Sequence, residues 1–180
     1  MKPRVITPPA ELPVTLAAAI GAARADGAGL DAEVEQAVRT YTEEAEFETQ
    51  RAIIEQTLQV TMPRFEPVIE LPRPRLLSVV HVKFINPAGQ QQTLDPQDYT
   101  VDTESEPGRL LPAPGKAWPA TAARIDAVEI RYIAGYGPDH TSVPDSVKGF
   151  ILRRVAEQYE LLSASMVAGT PRLLDAERVY

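Results

Sequence analysis

The chain has 180 residues, 44% of them hydrophobic, a formal net charge of −7 and no cysteine. That is enough for one domain with a real core, and it excludes disulfides, thiolate metal sites and cysteine nucleophiles. Residues 1–60 carry five basic and ten acidic side chains. This acidity gives the chain neither the electrostatic footprint of a phosphate-backbone binder nor the basic face of a membrane-surface helix.

Residues 1–14 contain four prolines and read as an extended N-terminal arm. They lack the apolar stretch of a signal peptide. Thr15 can cap a short helix over 15–25, with Leu16, Ala19, Ile20 and Ala23 on one face. "ADGAG" at 25–29 stops it, with Gly27 and Gly29 free to take positive φ. Asp31 is the expected N-cap of a second helix over 31–51, in which Val34, Val38, Tyr41 and Ala45 form a narrow apolar stripe. The opposite side is charged, with Glu35, Arg39, Glu43 and Glu46.

A β block over 53–135 comes next and holds most of the 17 prolines. Short strands are expected at 56–62 and, as an edge piece, 68–71. The clearest strand is Leu76–Ile85, with Val80, Val82 and Phe84 on one face and Val79, His81 and Lys83 on the other. "NPAG" at 86–89 and "DPQD" at 95–98 are turns. Further strands are expected at 90–94, 99–102, 110–111 and 127–134, the last with Val128, Ile130 and Tyr132 on one face. A final helix spans 144–163 on Val147, Ile151, Val155 and Leu162, with Pro144 at its first position. Residues 164–180 read as a tail. The fold class is therefore α+β: a helical core of two N-terminal helices and one C-terminal helix, with a short-stranded antiparallel β block inserted. The expected organisation is one domain over 15–163 between arm and tail.

Chemistry is sparse. Asp139, His140 and Ser142 lie close in sequence, which invites a triad reading, but triads are assembled from distant elements. The simpler reading is a polar turn capping the next helix. Asp95, Asp98, Asp102, Glu104 and Glu106 lack the glycine and closing glutamate of a calcium loop and read as solvated turn residues. No phosphate cradle or dinucleotide fingerprint occurs. No catalytic, cofactor or metal site is expected. Trp118, the only tryptophan, is either a subunit-contact anchor or a cover over the sheet. The tail offers Met166, Val167, Leu173, Leu174 and Val179, either disordered or ordering against a partner.

The strings "RAIIEQTLQVTMPRF", "LPRPRLLSV", "DYTVDTESEPGRL", "VEIRYIAGYG" and "VPDSVKGFILRRVAEQYE" carry a likeness. Over about residues 10–162 the chain resembles the head–tail connector (adaptor) proteins of tailed phages, a family also found in gene transfer agents. The N-terminal helix departs from it, being richer in Ala and Gly. The resemblance implies a non-enzymatic virion protein forming a homo-oligomeric ring, usually of twelve copies, under the portal protein. Stopper or tail proteins would bind its other side and DNA would pass through the lumen without specific binding; no membrane is involved. It also implies portal docking by the C-terminal segment, with Met166, Val167, Arg172, Leu173, Leu174, Val179 and Tyr180 as candidates. Glu35, Glu43 and Glu46 are candidates for an acidic channel lining that repels phosphates; the alternative is a solvated helix face. Another neck component (a stopper or tail terminator) and a small hydrolase using His140 are the competing readings.

Overall fold

A computed structural model describes residues 1–24 and 29–160. The chain divides into two compact units: a β unit of Met1–Pro8 and Glu55–Gly135, and a helical unit of Pro9–Ile54 with Tyr136 onward.

In the β unit, β1 (Arg4–Thr7), β2 (Gln56–Met62), β4 (Leu76–Ile85), β5 (Gln91–Thr93) and β8 (Val128–Ala134) form a sheet in the order β1-β2-β8-β4-β5. All neighbours are antiparallel. β3 (Ile69–Glu70), β6 (Tyr99–Asp102) and β7 (Arg109–Pro112) form a second sheet in the order β3-β7-β6. Residues 4–7, expected within an extended arm, are thus the edge strand of the larger sheet.

Period-two alternation sorts the faces. Leu58, Val60 and Met62 of β2 lie opposite Tyr132, Ile130 and Val128 of β8, and all six are buried. From this face the Tyr132 hydroxyl donates to the Pro72 carbonyl at 2.6 Å, beside β3. The expected alternation along β4 is corrected. The register slips between Leu76 and Ser78 and between Val79 and His81, so Leu77 and Val80 are extra residues in β-bulges. Val79 therefore lies opposite Tyr132, on the same face as Val82, while Val80 is 51% exposed.

Gly108, just before β7, shows how closely backbone approaches β4. Its carbonyl accepts from the Leu71 amide, and a Cβ at this position would lie 2.5 Å from the Leu76 Cβ. Leu76 is buried and tied to Ala134, so it cannot withdraw. Gly108→Ala is expected to lower the unfolding free energy by about 1–3 kcal/mol through overpacking. An unchanged urea midpoint would refute that contact.

The helical unit contains α1 (Leu16–Ala23), α2 (Asp31–Thr49) and α3 (Asp145–Tyr159). Thr15 caps α1, accepting from the Ala18 amide at 3.2 Å. The helix stops at Arg24, which takes the left-handed conformation at φ 51°. Gly29 has φ 116°; Gly27 lies outside the described residues. Asp31 is not the cap of α2: Leu30 holds that position, and the Asp31 carboxylate sits in the first turn, where the helix dipole favours it. Pro144 stands one position before α3 rather than inside it. The end expected at residue 163, with Leu162, lies outside the described residues.

The core of this unit joins Ala19 and Ala23 of α1, Val34, Val38 and Ala45 of α2, and Val147, Phe150, Ile151 and Val155 of α3. The alanines of α1 let its backbone approach its neighbours. At the rim, the Arg154 guanidinium meets Glu44 at 3.1 Å and Glu157 at 3.1 Å, and lies 5.0 Å over the Tyr41 ring. This clasp ties α2 to α3.

Candidate functional site

The segment that suggested hydrolytic chemistry is a folded turn. Asp139 Oδ1 accepts from the Thr141 amide at 2.8 Å and its hydroxyl at 2.6 Å. These hydrogen bonds hold the Asp139 carboxyl below its ordinary range. They cap the short 3-10 turn His140–Ser142, not α3, whose cap position is Pro144. The Ser142 side chain packs directly on Gly137. The Asp139 carboxylate is thus engaged locally, in the turn, with Thr141.

The acidic run is used in the same way. Asp95 caps a 3-10 turn through the Gln97 amide, and Asp98 pairs with Lys116 at 2.8 Å. Asp102 accepts from the Glu104 amide and from both the amide and hydroxyl of Ser105; the Ser105 bonds chiefly hold its carboxyl low. Among the described residues, no three His, Asp or Glu side chains are grouped to hold a metal ion. None of the described helices is long and apolar enough to cross a membrane.

Trp118 is half-buried and stacks on Phe65, with centroids 4.8 Å apart and planes 8° from parallel. Phe65 in turn meets Phe84 of β4 edge-on at 5.8 Å. The indole thus covers part of the β unit, and its buried Nε1 has no hydrogen-bond partner.

The outer face of the larger sheet carries a polar network that sequence reading missed. His81 Nε2 lies 2.9 Å from Glu129 Oε1, Gln59 donates to the other Glu129 oxygen at 3.1 Å, and Arg131 donates twice to Gln59. These residues come from three strands, and only the β2–β8–β4 pairing brings them together. A shallow cleft of about 210 Å³ opens nearby, lined by Lys83, Gln91, Arg124, Asp126 and Glu129. Arg124 and Asp126, both in its lining, pair with each other at 2.5 Å.

The acidic residues of α2 are distributed over several roles. Glu35 pairs with Arg39 at 2.7 Å, Glu43 is exposed, and Glu46 is half-buried, accepting from the Ile53 amide at 2.9 Å. Phe47, 70% exposed, stands among them. Met166, Val167, Arg172, Leu173, Leu174, Val179 and Tyr180 lie outside the described residues.

The described residues thus define an α+β protein, among them three α-helices and two antiparallel sheets, with polar groups engaged in turns and surface networks. No family model matches the sequence, and no curated protein matches it. Solved structures do match its fold. A chain from the neck of an empty gene transfer agent particle, computed with C6 symmetry, has a TM-score of 0.82 at 20% identity, with 100% of this chain and 96% of that chain covered. A chain from the virion of a native gene transfer agent particle gives the same figures. A chain from the neck of the native particle, computed with C12 symmetry, has a TM-score of 0.74 at 21% identity over the same shares. The described residues share the fold of these chains.

Proposed function

We propose that this chain is a structural, non-enzymatic subunit of the neck of a tailed phage or phage-like particle. Within the neck we read it as the head–tail adaptor: a homo-oligomeric ring under the portal that joins capsid to tail and lets DNA pass. The observation that carries this reading is the likeness of the whole fold to chains of gene transfer agent necks, at a TM-score of 0.82. The placement as adaptor rests further on the resemblance over residues 10–162, above all "LPRPRLLSV" and "DYTVDTESEPGRL". Assembly would take place in the host cytoplasm, and the working location is the virion neck.

The physical chemistry supports a joint rather than a catalyst. Asp95, Asp98, Asp102 and Asp139 are engaged in turns or ion pairs. Helix α2 holds seven acidic residues and one basic residue, a charge that repels phosphates where it faces DNA. Glu43 is the best placed of the three candidates for such a lining, because Glu35 and Glu46 already have partners.

Mixing the purified full-length chain with the portal ring of its particle tests the reading. A co-migrating complex with multiple copies per portal is expected. Binding to tail-side proteins but not to the portal would make the chain a stopper or tail terminator. Binding to neither would remove it from the neck.

A further inference from the structure

Among the described residues, the larger sheet has two open edges of similar length. β1 (Arg4–Thr7) ends the strand order and pairs only with β2. At the other side, β5 pairs only with Lys83–Ile85 of β4, and the Leu94 amide closes on Val82. Among the described residues, the stretch Leu77–His81 of β4 therefore has no strand partner on the side away from β8. One edge offers four residues, bounded by Pro3 and Pro8; the other offers five.

Open edges are commonly blunted by charge, short length, proline or bulges; β1 is a short strand between Pro3 and Pro8 and the β4 edge is bulged, but the β4 edge lacks the charge. Leu77–His81 contains no Lys, Arg, Asp or Glu. Its two bulged residues are exposed and apolar: Leu77 is 37% exposed and Val80 51%. On β1, Val5 is 50% exposed. Three of the seven large apolar side chains exposed among the described residues thus lie on these two short edges.

The strand directions match as well. Every step from β1 through β2 and β8 to β4 is antiparallel, so β1 and β4 run opposite ways. A second copy set beside the first by a small rotation, roughly 30° in a ring of twelve, keeps its strand directions nearly unchanged. Its β1 then lies antiparallel to the first copy's β4, the arrangement in which strand addition forms hydrogen bonds perpendicular to the strands. The contact joins different patches on the two copies, so it is heterologous and can close into a ring.

We propose that β1 of one copy adds to the Leu77–His81 edge of the next, with Val5 against Leu77 and Val80, extending the five-stranded sheet from subunit to subunit. The partner is a second copy of this chain. The ring that such contacts would close rests on the neck reading above; the edge contact itself does not.

The absence of native cysteine gives a clean background for a test. Val5→Cys chains are mixed at high concentration with Val80→Cys or Leu77→Cys chains and oxidised. Both sites are exposed, so folding is preserved; each variant's urea midpoint checks this. Disulfide-linked dimer from a mixed pair should exceed that from either like pair by about fivefold or more, the enrichment supplied by roughly one net backbone hydrogen bond. Equal yields, or an excess of a like pair, overturn the proposal. Equal yields from a chain whose wild type still assembles on the portal reject the edge contact and leave the ring. A mixed-pair excess from a chain that binds no portal keeps the edge contact and rejects the neck reading.

Discussion

Tyr132→Ala is expected to destabilise the β unit by about 3–5 kcal/mol, as other buried aromatic truncations do. Tyr132 is fully buried in the middle of β8, between Leu58 of β2 and Val79 of β4, and its hydroxyl holds the Pro72 carbonyl. Truncation removes the packing of three strands and leaves that carbonyl short of a donor. Tyr132→Phe keeps the ring and loses only the hydrogen bond, so about 1 kcal/mol is expected. Trp118 is the only tryptophan and lies inside the β unit, so its emission in a urea titration reports this unfolding. A loss below about 1 kcal/mol for the alanine variant would contradict the packing described.

The same residue sets a pH limit. Burial pushes the Tyr132 phenol well above its ordinary value of 10.0. Its contribution to pH dependence is destabilising only where the unfolded chain can release the proton and the folded chain cannot, so stability falls as pH rises above that value. Tyr132→Phe should lose less stability than the wild type between neutral and strongly alkaline pH.

Removing residues 163–180 is expected to abolish portal binding while leaving the urea midpoint near that of the full chain. This segment carries Arg172 and Tyr180, residue types enriched among the hot spots of interfaces, beside Met166, Val167, Leu173, Leu174 and Val179, which add apolar surface. The helical core it would leave behind already buries Val34, Val38, Ile151 and Val155. Loss of several anchors should weaken binding by at least about 100-fold. Portal affinity within twofold of the full chain would remove the docking role from this segment and direct the search to the described surface.

Much of the fold was legible because one face of each element is apolar at the right period. Val34, Val38 and Ala45 mark α2, and Val128, Ile130 and Tyr132 mark β8, with no knowledge of partners. The alternation along β4 is hidden from the sequence because a bulge inserts a residue without changing composition: Leu77 and Val80 look like ordinary strand residues, yet each shifts the phase of the residues after it. β1 was read only as extended chain because its pairing depends on β2, some fifty residues later. The cap of α2 was misplaced by one residue because Asp31 is favourable both as a cap and in the first turn.

The candidate site was legible in residue type but not in geometry. Trp118 stands out by its singularity, whereas its stack on Phe65 needs two segments some fifty residues apart to meet. His81, Glu129, Gln59 and Arg131 are inconspicuous along the chain and form a network only through strand order. Glu35 and Glu46 belong to an acidic helix by inspection; their partners, Arg39 and the Ile53 amide, depend on rotamer and on the turn after α2.

A reconstruction of the neck of the particle that contains this chain tests the central claim most directly. The account predicts a closed ring of copies of this chain immediately under the portal, with DNA density through its lumen. A neck in which that layer is another protein, and in which this chain lies farther down or is missing, would contradict it.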